Sequence, residues 1–422
     1  TTLFLSTLPA AGRNIVVKGG ILDLNSQTTD VMNSITIGGD TQNVAGSDTG
    51  QNASLPNGTI KANTYSFNPG SGTDTITGVI ADGASATGIV KTGYGRTTFV
   101  ANNTYSGSTT IANGYLRISK DENLGTVPGS TTANNIILAY PGTLEISDTF
   151  TLNEKRGIQV SRGSSASEAP FIAFTAGAKT LTYNGVIANG SYGSASSGGF
   201  YLYGSSSNST LILSGTSTYT DNTVISSYGT LKLTGALSSS TDLNINSNTG
   251  ILDLQVSQTF GSLLDMYGSI VRNAGVSSLT ITGTSNIAGP ITTSGVQLYS
   301  GDVTLKRAYG GAISTSTFTT TNSNLTFNGK VNSSGSGNIT DANNLTASVG
   351  SGTVTFGDST SDTIGATYAL GVIDITGNLD LNASINNTTN RVDTSANSLT
   401  LNYGASSISR SEEYTSELQS RV

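Results

Sequence analysis

Apolar and polar positions alternate along this chain in short runs, and the runs stop at Gly, Asn or Ser. Period-two alternation puts every second side chain on one face of an extended segment, so each run predicts a short strand with one apolar side. The small polar residues between runs are turn-formers: Gly and Asn tolerate left-handed bends, and Ser and Thr hydroxyls bond to nearby backbone. No helical spacing appears between the runs. No apolar stretch reaches the ~18 residues that would predict a membrane-spanning helix.

One pentad occurs six times, at Gly20-Ile-Leu-Asp-Leu24, Gly114-Tyr-Leu-Arg-Ile118, Gly142-Thr-Leu-Glu-Ile146, Gly229-Thr-Leu-Lys-Leu233, Gly250-Ile-Leu-Asp-Leu254 and Gly371-Val-Ile-Asp-Ile375. Its third and fifth positions are aliphatic and share a face, the charged fourth position points the other way, and the leading Gly marks the bend that feeds the strand. Asp, Glu, Lys and Arg all occupy the fourth position, which reads as a solvated position and not as a charge-specific site.

Longer motifs repeat in the same order. Gly78-Val-Ile-Ala-Asp-Gly83 is echoed at Gly185–Gly190, Asn103–Ile111 at Ser217–Ile225, and the pentad at Gly114 by that at Gly229. Each echo lies roughly 110 residues after its original, so residues ~20–140 and 142–250 read as two copies of one module. A finer step of roughly 20 residues, in the range of solenoid repeats, leads from Gly229 to Gly250, from Leu325 to Leu345 and from Leu379 to Leu399.

A unit of ~20 residues buries too little apolar surface to offset its own ordering entropy, so units must stack. The predicted fold is all-β, a right-handed parallel β-helix of about 18–20 rungs, whose interior is expected to hold small and aliphatic side chains. Tandem antiparallel β-sandwiches of about 100 residues are the alternative. Few hairpin signals support it, Asn184-Gly185 and Asn328-Gly329 being the best.

Composition narrows the chemistry. Ser, Thr, Asn and Gly together make 214 of 422 residues, there is no Cys, His or Trp, and 11% of residues are charged. Disulfides, thiol chemistry, histidine metal sites and histidine general catalysis are excluded. The net charge of -7 comes without a basic stripe, so no nucleic-acid partner is expected.

The segment Lys91-Thr-Gly-Tyr-Gly-Arg-Thr-Thr-Phe-Val-Ala-Asn-Asn-Thr-Tyr-Ser-Gly-Ser-Thr-Thr-Ile-Ala-Asn-Gly-Tyr-Leu-Arg-Ile118 resembles the autotransporter-associated β-strand repeat, and Leu211–Leu233 resembles it more closely. Gly142–Ile158 and Leu181–Ile187 are similar to segments between such repeats. Beyond about Ser278, the stretches Asn324–Gly329, Gly352–Gly357 and Ala369–Asn378 look like repeats of filamentous-haemagglutinin-type surface proteins. Thr97-Thr98-Phe99 departs from the repeat's aliphatic run. The resemblance implies the β-helical passenger of an exported bacterial surface protein, with membrane attachment only through an anchor or barrel domain not in this sequence.

The resulting division is residues 1–277, a β-helix carrying the two modules; 278–409, a continuing β-helix with haemagglutinin-like repeats; and 410–422. That last segment, Arg410-Ser-Glu-Glu-Tyr-Thr-Ser-Glu-Leu-Gln-Ser-Arg-Val422, is dense in charge and resembles the in-frame translation of a sequencing-library adapter, so it is expected to be read-through and not native. The opening stretch Thr1–Ala10 lacks an initiating Met and a cationic leader pattern, and reads as the interior of a longer chain.

β-Helices also host polysaccharide-cleaving enzymes, so the carboxylates need a test. The candidates are Asp121 with Glu122, Asp358 with Asp362, and Glu154 beside Lys155 and Arg156; each reads more readily as a solvated turn. Asp23, Asp253 and Asp374 would form an acidic ladder only if their rungs aligned. Tyr105 and Tyr219 suit a structural turn better than a sugar platform. No residue is assigned to catalysis, a cofactor or a metal. The expected function is a non-enzymatic cell-surface or secreted adhesin or stalk, engaging glycans or proteins of a host or neighbouring cell. A β-helical lyase or hydrolase, which would need at least three of Asp, Glu, Lys or Arg converging in one groove, and a passive spacer are the alternatives.

Overall fold

The computed structural model describes residues 2–4, 11–18, 20–38, 53–165, 168–192, 197–335, 342–359, 361–385, 392–394 and 399–401. The segment 410–422 lies outside them. The chain divides into two units, Thr1–Thr223 with Tyr228–Leu231, and Val224–Ser227 with Lys232–Val422.

In the first unit the backbone coils through three faces in turn. One face stacks Ser34–Gly38, Tyr65–Asn68, Ile89–Lys91, Thr109–Ile111, Thr132–Ala139, Arg156–Ser161 and Ile187–Asn189. The next stacks Gly20–Asp23, Ala53–Leu55, Thr73–Ile76, Arg96–Phe99, Tyr115–Ile118, Thr143–Ile146, Phe171–Phe174 and Phe200–Tyr203. A third face is made by shorter ladders such as Thr59–Ala62 with Val79–Asp82, and Thr180–Tyr183 with Ser209–Leu213. These pairings are all parallel and join one coil to the next, which is a parallel β-helix and not a stack of hairpins.

The second unit repeats the plan. One face runs through Leu243–Ile245, Leu263–Met266, Ser285–Ile287, Val303–Leu305, Val331–Ser333 and Thr363–Ile364. The other two faces meet in the 13-residue strand Asn344–Phe356, whose first half pairs with Thr315–Thr319 and whose second half pairs with Leu325–Phe327. No helix among the described residues is long and apolar enough to cross a membrane.

The pentads behave as their alternation dictates: Leu116, Ile118, Leu144 and Ile146 are fully buried and stand in register, Leu116 beside Leu144 and Ile118 beside Ile146. Gly114, at φ +61, lies so close to the carbonyls of Gly93 and Gly95 that a Cβ would strike both. Burying an aliphatic side chain on every second position contributes roughly 1.5–3 kcal/mol each.

Two expectations need correction. The step from coil to coil is not uniform. Leu379 does pair with Leu399, but Leu325 pairs with Val354, so Leu345 lies on a different face. The coil from Ser285 to Val303 is short and the next, from Val303 to Val331, is much longer, although the strands Ser285–Ile287, Val303–Leu305 and Val331–Ser333 that pair between them have three residues each. The interior is also more aromatic than expected: Tyr299, Phe327 and Phe356 occupy one register position on successive coils, with rings stacked at 5.2 Å at both steps.

Candidate functional site

The outward side chains of one face build a cleft in the first unit. Register alone sets out two rows across five coils. The first row runs Arg96, Tyr115, Thr143, Phe171, Tyr201, and the second runs Thr98, Arg117, Glu145, Ala173, Tyr203. Arg96, Tyr115 and Arg117 on one side and Phe171 and Tyr203 on the other, with the small Thr143 and Ala173 side chains among them, leave a hollow. Loops carrying Tyr94, Pro141, Ala176 and Ser205 raise its rim, and the cleft encloses about 830 Å³. That volume suits a ligand of a few sugar units or a drug-sized molecule.

The floor carries an ion triad. Arg96 donates from Nε to Glu145 Oε2 at 2.6 Å and from Nη2 to Oε1 at 3.1 Å, and Arg117 donates from Nε to the same Oε2 at 2.7 Å. The Glu145 side chain is 9% exposed against 29% and 31% for the two arginines, so the carboxylate is sunk beneath its partners. Burial alone would raise the Glu145 carboxyl, but the hydrogen bonds and charges of Arg117 and Arg96 outweigh it and hold the group below the usual carboxylate range. The Arg96 guanidinium also stacks on Tyr115, 5.0 Å from the ring centroid. Aromatic surface flanks the triad: Tyr94, Tyr115 and Tyr203 are each about 40–50% exposed, and Phe171 lies 5.0 Å from Tyr201 with rings tilted by 30°.

Sequence reasoning did not find this site. The fourth positions of two consecutive pentads, Arg117 and Glu145, were read as solvated, yet they face each other as an ion pair. The signal was their opposite charge on adjacent pentads, which means nothing until the coil lengths are known.

The residues singled out from the sequence lie elsewhere. Asp121 and Arg156, drawn from two separate candidate groups, come together as a structural clamp. Arg156 is fully buried and donates to Asp121 Oδ1 at 2.9 Å, to the carbonyls of Leu124 and Gly125, and to Asn135 Oδ1, pinning the short 3-10 turn Asp121–Leu124 to the neighbouring coil. Glu122 is exposed, and Lys155 Nζ donates to the Gly129 carbonyl. Asp362 accepts from the backbone N–H groups of Asp358 and Ser359, which closes a local turn. Tyr105 and Tyr219 are buried and make matching contacts, hydroxyl to Thr109 at 2.7 Å and to Thr223 at 2.6 Å, so both copies of the motif use the tyrosine as an inward anchor. In the second unit Asp253 stands beside Val271 and Asp374 beside Thr346, so these two do not form a ladder. Among the described residues no group of three or more Asp or Glu is placed to hold a metal.

One buried charged pair is internal to the coil. Asp74 accepts from the Ala53 N–H, and Lys91 Nζ donates to the carbonyls of Thr92, Gly93 and Asn113. Burial raises the Asp74 carboxyl to about 6 and lowers the Lys91 ammonium to about 7, each charge partly offsetting the other's shift.

With the geometry established, comparison with known proteins is specific about class. The passenger-associated transport repeat family matches residues 89–118 and 207–233, the two copies of the Tyr-anchored motif. The chain is also 29% identical over 182 residues to the adhesin BmaC autotransporter of Brucella suis biovar 1; the match covers 42% of this chain and 5% of that protein. No solved structure gives a significant match. The chain is thus a β-helical protein with autotransporter passenger-type repeats. The repeat family and the adhesin-named relative indicate export to the cell surface or secretion.

Proposed function

We propose that this chain is the β-helical passenger region of a non-enzymatic adhesin that uses its side wall, and the cleft over Thr143 and Ala173 in particular, to hold glycans or proteins of a host or neighbouring cell. The observation that carries this reading is the cleft itself: solvent-facing aromatic rings beside a fixed ion triad, built on paired strands and not on a loop. Rigid aromatic surface binds at low entropic cost. Weak sites repeated along a cell-bound molecule add by avidity.

Beads coated with the purified chain test it. Adherence to cultured host cells above that of uncoated beads, and its reduction by Ala173→Phe, support the adhesin. Equal adherence of coated and bare beads would leave only a spacer.

A lyase or hydrolase is the second reading, because Arg96, Arg117 and Glu145 do converge in one groove. Against hydrolysis, the cleft holds a single carboxylate, whereas a glycosidase needs two with separated pKa values. Glu145 is moreover kept ionised, with both oxygens engaged by guanidinium, so it cannot protonate a leaving group. Turnover of a polysaccharide that vanishes with Glu145→Gln would reverse this preference.

A further inference from the structure

Resting on the reading of the cleft as a glycan site, we infer that its ligand carries a carboxylate: the geometry points to a sugar acid whose carboxylate meets Arg117 and whose ring lies along Phe171 and Tyr203.

The charge count of the triad is the first support. Two guanidiniums meet one carboxylate, so the floor keeps one positive charge, in a protein of net charge -7. Arg96 is held by a two-point contact with Glu145 and by stacking on Tyr115. Arg117 gives Glu145 only its Nε–H, which leaves the four N–H groups of its terminal nitrogens, and the residue lines the cleft with a side chain 31% exposed. A planar guanidinium with an open edge matches a carboxylate by two parallel hydrogen bonds. Glu145 fixes the guanidinium from behind, so little side-chain entropy is lost when the ligand arrives.

The second support is the spacing of the rows. Ala173 follows Glu145 in the same row, and Tyr203 follows Ala173 on the next coil. Coils lie ~4.8 Å apart, so Tyr203 stands two coils, about 10 Å, beyond Glu145. Between them the small Ala173 side chain leaves room for one pyranose ring, with the half-buried Phe171 in the adjoining row as its other wall. Carbon-bound hydrogens on a sugar's face pack against aromatic rings, while its charged substituent reaches the arginine.

Calorimetric titration of the full chain with four hexasaccharides tests the inference: β1,4-glucuronate against β1,4-glucose, and α1,4-galacturonate against its neutral methyl ester. At least one acidic hexamer is expected to bind about ten-fold more tightly than its neutral counterpart, the energy of one charge-assisted contact. Raising the salt narrows the gap. Arg117→Gln removes the preference, bringing the acidic hexamer down to the affinity of its neutral counterpart, and Arg117→Lys retains part of it. Ala173→Phe abolishes both. Equal binding of acidic and neutral hexamers, or a preference that survives Arg117→Gln, overturns the sugar-acid inference and leaves the glycan site standing. Failure of all four to bind overturns the inference too, and the bead assay then decides the adhesin reading by itself.

Discussion

Each unit carries an aromatic array built on successive coils, and the two arrays face opposite ways. In the second, Tyr299, Phe327 and Phe356 form an internal column with Phe318 packed edge-on against two of them. In the first, Tyr94, Tyr115, Phe171, Tyr201 and Tyr203 stand on the outer wall around paired charges. Both arrays arise from the same rule, that a residue recurs at one register position on successive coils. The face on which it recurs decides whether the array packs inside the coil or stands toward solvent. The inner column should be costly to break and indifferent to ligand, and the outer array the reverse.

The largest expected effect is Phe327→Ala. It removes the middle ring of the column and should cost about 3–5 kcal/mol in chemical denaturation of the second unit. Sugar binding in the first unit should be unaffected. Close behind is Asp121→Ala, which leaves Arg156 buried without its anion and should cost about 3–5 kcal/mol. A loss under about 1 kcal/mol, small beside that of a broken buried pair, would mean that the carbonyls of Leu124 and Gly125 hold that guanidinium unaided.

The interior pair gives a pH dependence of unusual sign. Asp74 binds its proton more tightly in the folded chain, about 6 against 3.8, so its contribution is present below pH ~4 and is lost as pH rises through ~6. Lys91 is lowered from 10.5 to about 7, so its contribution is present above pH ~10 and is lost as pH falls through ~7. Both groups therefore stabilise least near pH 6–7. Asp74→Asn should flatten the acid-side slope, worth about 2–3 kcal/mol between pH 4 and 6, in denaturation midpoints across that range. An unchanged slope would show that Asp74 is not its source.

Smaller again is Tyr105→Phe, which strands the Thr109 hydroxyl and should cost about 1 kcal/mol; Tyr219→Phe should match it if the two motif copies are equivalent. Smallest for stability is Tyr203→Ala, within about 0.5 kcal/mol of the parent, but with loss of sugar binding. A stability loss as large as that of Phe327→Ala would erase the distinction between inner and outer arrays.

Much of the fold was legible because period-two alternation survives in single strands: the pentads mark the core side at Leu116, Ile118, Leu144 and Ile146 with no knowledge of neighbours. A structural role for Tyr105 and Tyr219 was legible from their fixed place in the repeat, but not that it is played from inside the coil. The cleft was not. Contact between Arg96, Arg117 and Glu145 depends on two coils of unequal length, set by corner segments that carry no periodic signal. The Asp121–Arg156 clamp was hidden for the same reason, its partners being far apart in sequence across an irregular corner. The aromatic column required knowing that Tyr299, Phe327 and Phe356 share a register position, at steps longer than the spacing suggested by the leucine repeats.

The unequal corners have a consequence for how such a molecule changes over generations. Between Arg117 and Glu145 the longer corner contains the Asp121–Leu124 turn, and between Val303 and Val331 it contains the segment around Tyr309, yet the flanking strands keep their partners. Doubling a flexible corner costs only about 0.6 kcal/mol in closure entropy. Insertions can therefore accumulate at these bends and reshape the outer surface, while the ladder that carries them stays intact.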